Sequence, residues 1–352
     1  VHEDKRSACH RKVFRLHFGL SRQVHDTAPI GNRKAVTLEN AFLVSEAEIL
    51  AARPPKATLN PWEPSAFLVE PECSATGSVD PVATIFLTNK ECPFRCSMCD
   101  LWKYTLDERV PVGAIPAQID YALQRLPTAK HIKLYNAGNF FDGQAIPPED
   151  YGAIADRVRQ FETVIVENHP RLTNERCVRF RDLLGTRLEI ALGLETIHTE
   201  ILASLNKLMT VADFDHAVTF LKQHDIDIRA FLLLKPPGLS EREGVEWGMK
   251  SMQHAFDMGV QCCSFIPTRA GNGYIDRLQA NGQFQPPTIR SMEILLEQGI
   301  ALKRGRVLMD LWDVEKFYDC PDCGPARSGR IRQMNLTQRI APKIDCICQS
   351  KV

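Results

Sequence analysis

The sequence predicts an α/β fold, a parallel sheet with helices packed outside it, and three observations carry that prediction. From Pro81 onward, short apolar runs alternate with amphipathic stretches. The runs have the length of buried strands and the stretches the length of helices. Each of six runs is followed by a helix candidate, the connection that neighbouring parallel strands require. Such regular alternation favours a curved or barrel-like sheet over an α+β arrangement, while pattern alone leaves both an open doubly wound sheet and a partial barrel in play.

Taken in chain order, residues 1–79 are short mixed segments broken by Pro54, Pro55, Pro61, Pro64 and Pro71. They read as an irregular extension with one helix candidate at 37–52. The strands are expected at 82–87, 131–135, 163–167, 188–194, 228–234 and 261–266, and the helices at 117–126, 150–161, 174–184, 212–224 and 241–258. Ser240 with Glu243, and Thr210 with Asp213, have the spacing of a helix start in which a hydroxyl and a carboxylate satisfy backbone N–H groups. A further helix at 289–297 and a strand at 306–311 precede the last cysteines. The expected division is an extension at 1–79, a core at 80–285 and a small Cys-rich appendage within 286–352.

A chain of 352 residues, 44% hydrophobic and 24% charged, has the composition of a soluble globular protein. No apolar run approaches the ~20 residues of a membrane span, and residues 1–32 lack the continuous apolar stretch of a signal peptide. A cytoplasmic location without membrane contact is therefore expected. Net charge is zero but uneven: residues 1–34 carry +5 and residues 320–352 carry +4, leaving −9 between them. Basic ends suit contacts with nucleic-acid phosphate, and equally suit solvated termini. Of twelve cysteines, seven fall in two tight clusters, which in a cytosolic chain indicate metal sites rather than disulfides. Cys9, Cys73, Cys177, Cys262 and Cys263 read as small hydrophobes or surface thiols.

The first cluster is the run Cys92-Pro93-Phe94-Arg95-Cys96-Ser97-Met98-Cys99, directly after the first core strand. Three thiolates on one loop can hold three irons of a 4Fe-4S cluster and leave the fourth iron open. A closed zinc site needs a fourth ligand, and between residues 100 and 106 only Asp100 offers one. This spacing resembles the signature of the radical S-adenosylmethionine enzymes. The resemblance implies a partial (β/α)6 TIM-like barrel with the cluster on the loop after its first strand. It also implies an open iron that binds the amino and carboxylate groups of S-adenosyl-L-methionine, whose reductive cleavage gives a 5'-deoxyadenosyl radical. An electron donor such as a flavodoxin or ferredoxin would supply the electron. Many members carry an aromatic residue where this chain has Met98, which is still apolar and, with Trp102, can cover the cluster.

In parallel α/β folds the ligands gather at the carboxyl ends of strands. After the second strand, Asn136-Ala137-Gly138-Asn139 allows close backbone approach and offers acceptors to an ammonium group, although the same residues also make an ordinary turn. In the resemblance, Asn136, Gly138 and Asn139 stand where the cofactor's amino group is received. The third strand ends at Glu167 and the fourth at Glu195, two carboxylates at the rim. Glu195 needs a partner to stay charged, whether a ribose hydroxyl, the cofactor ammonium or a neighbouring cation. Lys235, after the fifth strand, can pair with the cofactor carboxylate or with Glu195. Ile266, after the sixth, offers an apolar contact to the adenine, and Arg269 a cation.

Gly193-Leu194-Glu195-Thr196, Asn206-Lys207, Leu232-Leu233-Leu234-Lys235-Pro236-Pro237 and Ser97-Met98-Cys99 together resemble the radical subunit of archaeosine synthase, in the branch that holds Elp3 and MiaB. That narrower resemblance covers roughly residues 80–350. It implies a lysine-bearing deazaguanine base in tRNA as substrate, with hydrogen abstraction beside nitrogen and scission of a carbon–nitrogen bond. Radical modification of a peptide or small metabolite is the alternative within the enzyme class, and a non-catalytic zinc- or RNA-binding protein the alternative outside it.

The second cluster, Cys320, Cys323, Cys346 and Cys348, offers four thiolates, enough for a structural zinc or an auxiliary iron-sulfur cluster. A zinc ribbon places two residues inside each pair, whereas Cys346 and Cys348 enclose one. Arg327, Arg330, Arg332 and Arg339 fall between the pairs and are expected on a loop, as a metal-stapled basic knob that meets RNA phosphate.

Overall fold

The computed structural model describes residues 44–346 and 348. The basic segment 1–34, Cys9, the first part of the helix expected at 37–52, and residues 347 and 349–352 lie outside the described residues. Eight strands form one sheet in chain order: β1 (Ala66–Cys73), β2 (Val79–Phe86), β3 (His131–Tyr135), β4 (Thr163–Asn168), β5 (Arg187–Glu195), β6 (Asp227–Leu234), β7 (Cys262–Pro267) and β8 (Arg306–Met309). β1 runs antiparallel to β2, and every later pair is parallel.

The sheet is curved into a half-barrel, as side chains meeting across its interior demonstrate. Arg229 of β6 pairs with Glu72 of β1 at 2.7 Å although four strands lie between them. Five inter-strand spacings in a flat sheet would hold them roughly 24 Å apart. Tyr135 of β3 and Phe231 of β6 likewise meet edge to face, with ring centroids 6.1 Å apart. The fold class is the expected one, with β1 added at the edge. The sequence reading places no strand within 1–79 because Pro71 interrupts the run. Proline is tolerated on an edge strand, and here it faces Pro81 across the pair.

The concave face is layered. At the amino ends of the strands lies an ionic network: Arg229 Nε to Glu189 Oε1 at 2.6 Å, Arg306 Nη2 to Glu189 Oε2 at 2.7 Å, and Lys133 paired with Glu72. Burial alone would raise the Glu72 carboxyl, but the charges of Arg229 and Lys133 outweigh it and hold the group far below the usual carboxylate range. Above the network sit Phe86, Tyr135 and Phe231, all half-buried, and above them the rim that carries the cysteine loop.

The helices are, in chain order, α1 (Glu46–Ala51), α2 (Ala114–Leu123), α3 (Tyr151–Val158), α4 (Glu175–Leu184), α5 (Thr199–Ser204), α6 (Val211–Gln223), α7 (Glu241–Met258), α8 (Tyr274–Ala280), α9 (Ile289–Ala301) and α10 (Gly324–Thr337), with α1 and α8 sharing a small apolar cluster of their own through Ile49, Tyr274, Ile275 and Phe284. The starts expected at Thr210 and Ser240 form, each with its reciprocal carboxylate at Asp213 and Glu243. α2 begins three residues earlier than expected, since Pro116 falls in its first turn, where a missing N–H has no intrahelical partner to lose. One continuous apolar core runs from Ala83 to Ala341 and includes the ring cluster Phe140, Phe141, Tyr151 and Phe180. Among the described residues no helix is long and apolar enough to cross a membrane.

Candidate active site

The cysteine loop follows β2 at the carboxyl mouth of the half-barrel, and its backbone is held from several sides. Ser97 N donates to Leu205 O at 2.8 Å, Asn206 Nδ2 to Arg95 O at 2.8 Å and Asn272 Nδ2 to Ser97 O at 2.7 Å. Trp102 Nε1 donates to Cys99 O at 3.1 Å, and Phe94 stacks on His169 with centroids 3.8 Å apart. These contacts come from the loops after β4, β5 and β7, so the strand ends fix the conformation that presents Cys92, Cys96 and Cys99. Burial pushes Cys96 up to about 12, and it raises Cys92 and Cys99 as well, against the Phe94 N–H and the Asn139 amide at Cys92. Thiols raised in this way become thiolates only beside compensating positive charge, which a metal supplies.

Lys207 is the protein's own cation at this place. Its ammonium pairs with Glu195 at 2.6 Å, both side chains being buried, and its charge reaches Cys92 and Cys96. Burial would depress Lys207, but the Glu195 carboxylate and the Cys96 sulfur outweigh burial and hold it above its ordinary value. Gly193 leaves room for the pair, because a Cβ there would press on Lys207 Nζ and Glu195 Oε1 and displace the ion pair. Glu195 thus has a neighbouring lysine as partner, and that lysine is not Lys235. Lys235 turns outward to Glu241 at 2.7 Å and to the Pro286 carbonyl at 3.3 Å, which corrects the expected Glu195–Lys235 pairing. Three non-glycine residues with positive φ stand at the strand ends: Ala137 at 49°, Glu195 at 63° and Lys235 at 54°. Backbone held in this region costs free energy and is tolerated where the surroundings over-determine it.

Asn136, Gly138 and Asn139 form a turn whose Gly138 and Asn139 lie beside Cys92. Glu167 Oε1 accepts from Asn136 N at 2.7 Å and from Gly138 N at 3.4 Å, clamping the turn. Asn139 Nδ2 donates to Cys92 Sγ at 3.1 Å. His169 is driven down to about 3, first by burial and then by the Lys207 charge, so it is neutral. Its ring bonds Lys207 O and accepts from Arg171 N, which assigns the proton to Nε2. Ile266 is half-buried in β7, in register with Leu233 of β6. Glu167 stands out in the sequence only as a carboxylate at the rim, and Lys207 only as the neighbour of Asn206. No local pattern foretells that a clamp or an ion pair forms across separate strands.

Burial pushes Glu167 up to about 7, against the N–H groups of Asn136, Gly138 and Ala137. A carboxyl raised on folding favours the folded state fully below its unfolded pKa of about 4.3, and that contribution is lost as pH rises through 7. Wild type is therefore expected to lose stability relative to Glu167→Gln between pH 5 and 8. Urea midpoints across that range check this, and parallel curves for the two proteins would count against it.

At the other end of the chain, Cys320, Cys323, Cys346 and Cys348 bring four sulfurs within 4.8 Å of one another. Two of the edges, Cys320–Cys346 at 3.9 Å and Cys323–Cys348 at 3.7 Å, match the ~3.8 Å that tetrahedral zinc imposes when each sulfur is about 2.3 Å from the metal. Arg327 Nε and Arg290 Nη2 donate to Cys323 and Cys348 at 3.2 and 3.1 Å. The Cys323 N–H helps lower Cys320 to about 7. The basic knob is corrected here. Residues 324–337 are helix α10, not a loop, and Arg327 and Arg330 are buried against Glu293, so only Arg332 and Arg339 remain exposed. Cys73, Cys177, Cys262 and Cys263 are buried, in line with their reading as small hydrophobes.

The fold is similar to that of methylornithine synthase, whose crystal structure matches with a TM-score of 0.50 at 13% identity, over 69% of each chain. That likeness concerns the fold. By sequence, the chain is similar to archaeosine synthase subunit beta of Methanosarcina acetivorans, at 26% identity over 272 residues, 73% of this chain and 78% of the relative. It is also similar to an uncharacterized protein of Methanocaldococcus jannaschii, at 25% identity over 312 residues, 82% of this chain and 85% of the relative. No protein-family model matches the chain.

Proposed function

We propose that the chain is a radical S-adenosylmethionine enzyme, with residues 80–285 as its catalytic core, acting on a modified base in tRNA by carbon–nitrogen bond cleavage of the archaeosine type. The observation that supports this most is the placement of three cysteines on one loop at the carboxyl mouth of the half-barrel, in a backbone conformation held by Leu205, Asn206 and Asn272. Three thiolates on such a loop suit a cluster that seats each on a different iron, whereas the four sulfurs of Cys320, Cys323, Cys346 and Cys348, all within 4.8 Å of one another, suit a single ion. The triad therefore fits a 4Fe-4S cluster, which when bound supplies an open iron and one electron for S-adenosyl-L-methionine.

The chain's own residues bind and orient. The turn at 136–138 has its N–H groups committed to Glu167, so its carbonyl oxygens are the acceptors available to an ammonium. Glu195 and Lys207 present a carboxylate and a cation beside Cys96, and Ile266 an apolar edge for the adenine, while Lys235 stays paired with Glu241. Phe86, Tyr135 and Phe231 form the floor on which a planar group would rest, with edge-to-face ring contacts already in place. A tRNA substrate is suggested by the name of the relative, and a flavodoxin or ferredoxin is the electron donor the chemistry asks for.

The test is anaerobic reconstitution with iron and sulfide, then addition of reductant and S-adenosyl-L-methionine with and without tRNA. Release of 5'-deoxyadenosine is expected, stimulated by the tRNA substrate. Reconstituted, reduced protein that releases none would end the enzymatic reading, and release insensitive to RNA would end the tRNA one. For the second site, one zinc per chain is expected by elemental analysis. Cys348→Ser should lose that zinc while keeping the iron at the triad, and iron retained at the C-terminal site would contradict the assignment.

A further inference from the structure

We infer that Asn139 sets the reduction potential of the group held by Cys92, through an N–H···S hydrogen bond from its side-chain amide. The inference rests on the reading of Cys92, Cys96 and Cys99 as cluster ligands given above. Asn139 Nδ2 lies 3.1 Å from Cys92 Sγ, and the residue is only 4% exposed, so water does not compete for the sulfur from that side. Cys96 and Cys99 are met by backbone N–H groups, those of Cys96 itself and of Leu101, whereas Cys92 takes the Asn139 amide in addition to the Phe94 N–H.

A second observation points to the same wall. Asn136 is fully buried, and neither its Nδ2 nor its Oδ1 has a hydrogen-bond partner. A Cβ on Gly138 would stand 3.7 Å from that Nδ2 and 3.5 Å from Cys92 Cβ, so the orphaned amide borders the same corner of the loop. Buried amides are satisfied in nearly all proteins, and this corner holds more donor capacity than the chain's own atoms use. An iron-sulfur group bearing sulfide and thiolate acceptors would use it.

The direction of the effect follows from charge. Adding an electron to a cluster increases the negative charge on its sulfurs, and a hydrogen bond to a charged acceptor strengthens as that charge grows. A fixed donor therefore stabilises the reduced form more than the oxidised one and raises the potential. Asn139 acts through Cys92 and is a positioning and tuning residue, not one that touches substrate.

The experiment compares reconstituted full-length wild type with Asn139→Leu, which keeps the volume and removes the N–H. Iron and sulfide content come first, then redox titration followed by electron paramagnetic resonance. At the wild-type midpoint the variant is expected to show a ratio of reduced to oxidised cluster roughly tenfold lower, with unchanged iron content. Equal iron and an unchanged midpoint would overturn the inference. If the variant fails to retain iron, wild type grown with 15N-asparagine decides: pulsed resonance of the reduced cluster should detect a coupled asparagine nitrogen, and its absence overturns the inference. Wild type that binds no cluster would instead bring down the underlying reading, and its iron content shows which of the two has failed.

Discussion

Cys96→Ala is expected to abolish cluster retention and to reduce 5'-deoxyadenosine formation by at least about a thousandfold, because groups that act as one unit fail together. Two thiolates cannot seat three irons, and Asp100, the nearest alternative ligand on the loop, is a hard oxygen donor poorly matched to the site. The substitution should leave the fold in place. Cys96 is half-buried on a loop whose backbone is tied by Asn206, Asn272 and Leu205, and none of those bonds uses the Cys96 side chain. Thermal midpoints compared without iron should therefore agree closely. Cys177→Ala is the informative control: its thiol is wholly buried in the apolar core, so it should cost stability and keep the iron. A Cys96→Ala protein with wild-type iron, sulfide and turnover would remove the triad from the chemistry.

Most of the sheet is legible in the sequence because its strands are buried on both faces and read as unbroken apolar runs. β3 and α7 match their expected bounds, and the other core strands differ by a residue or a few at their ends. β1 is hidden by its own edge position, where Glu70, Pro71 and Glu72 serve pairing and interior charge rather than periodicity. The cysteine triad is legible for a different reason: its ligands are neighbours in the chain. Lys207 with Glu195, Glu167 with the 136–138 turn, and Asn139 with Cys92 are pairs from different loops, and only the curvature of the sheet brings them together. The arginines near the C-terminus mislead because composition records charge without showing which charges are buried. Arg327 and Arg330 lie against Glu293, and that acid sits in a separate helix.

Arg229 carries the largest expected effect on stability. It is 2% exposed and bonds Glu189 at 2.6 Å and Glu72 at 2.7 Å, so one guanidinium ties β6 to β5 beside it and to β1 across the interior. Arg229→Met keeps much of the volume but leaves two buried carboxylates with Lys133 and Arg306 as their remaining cations, and breaking such a pair costs about 3–5 kcal/mol. Because the network holds Glu72 below its unfolded value, its contribution is present above pH ~4.3 and is lost as pH falls through the folded value. Wild type should accordingly lose stability on acidification below that point, and the variant should show a flatter curve. Urea titration at neutral and acid pH measures both effects. The double variant Arg229→Met with Glu189→Gln should recover part of the loss, since it removes one stranded charge. A cost below about 1 kcal/mol at neutral pH would mean that curvature is set by the aromatic layer and helices alone. If the larger value holds, the charged end of the barrel maintains the curvature that brings Glu167, Glu195 and the cysteine loop together at the opposite mouth.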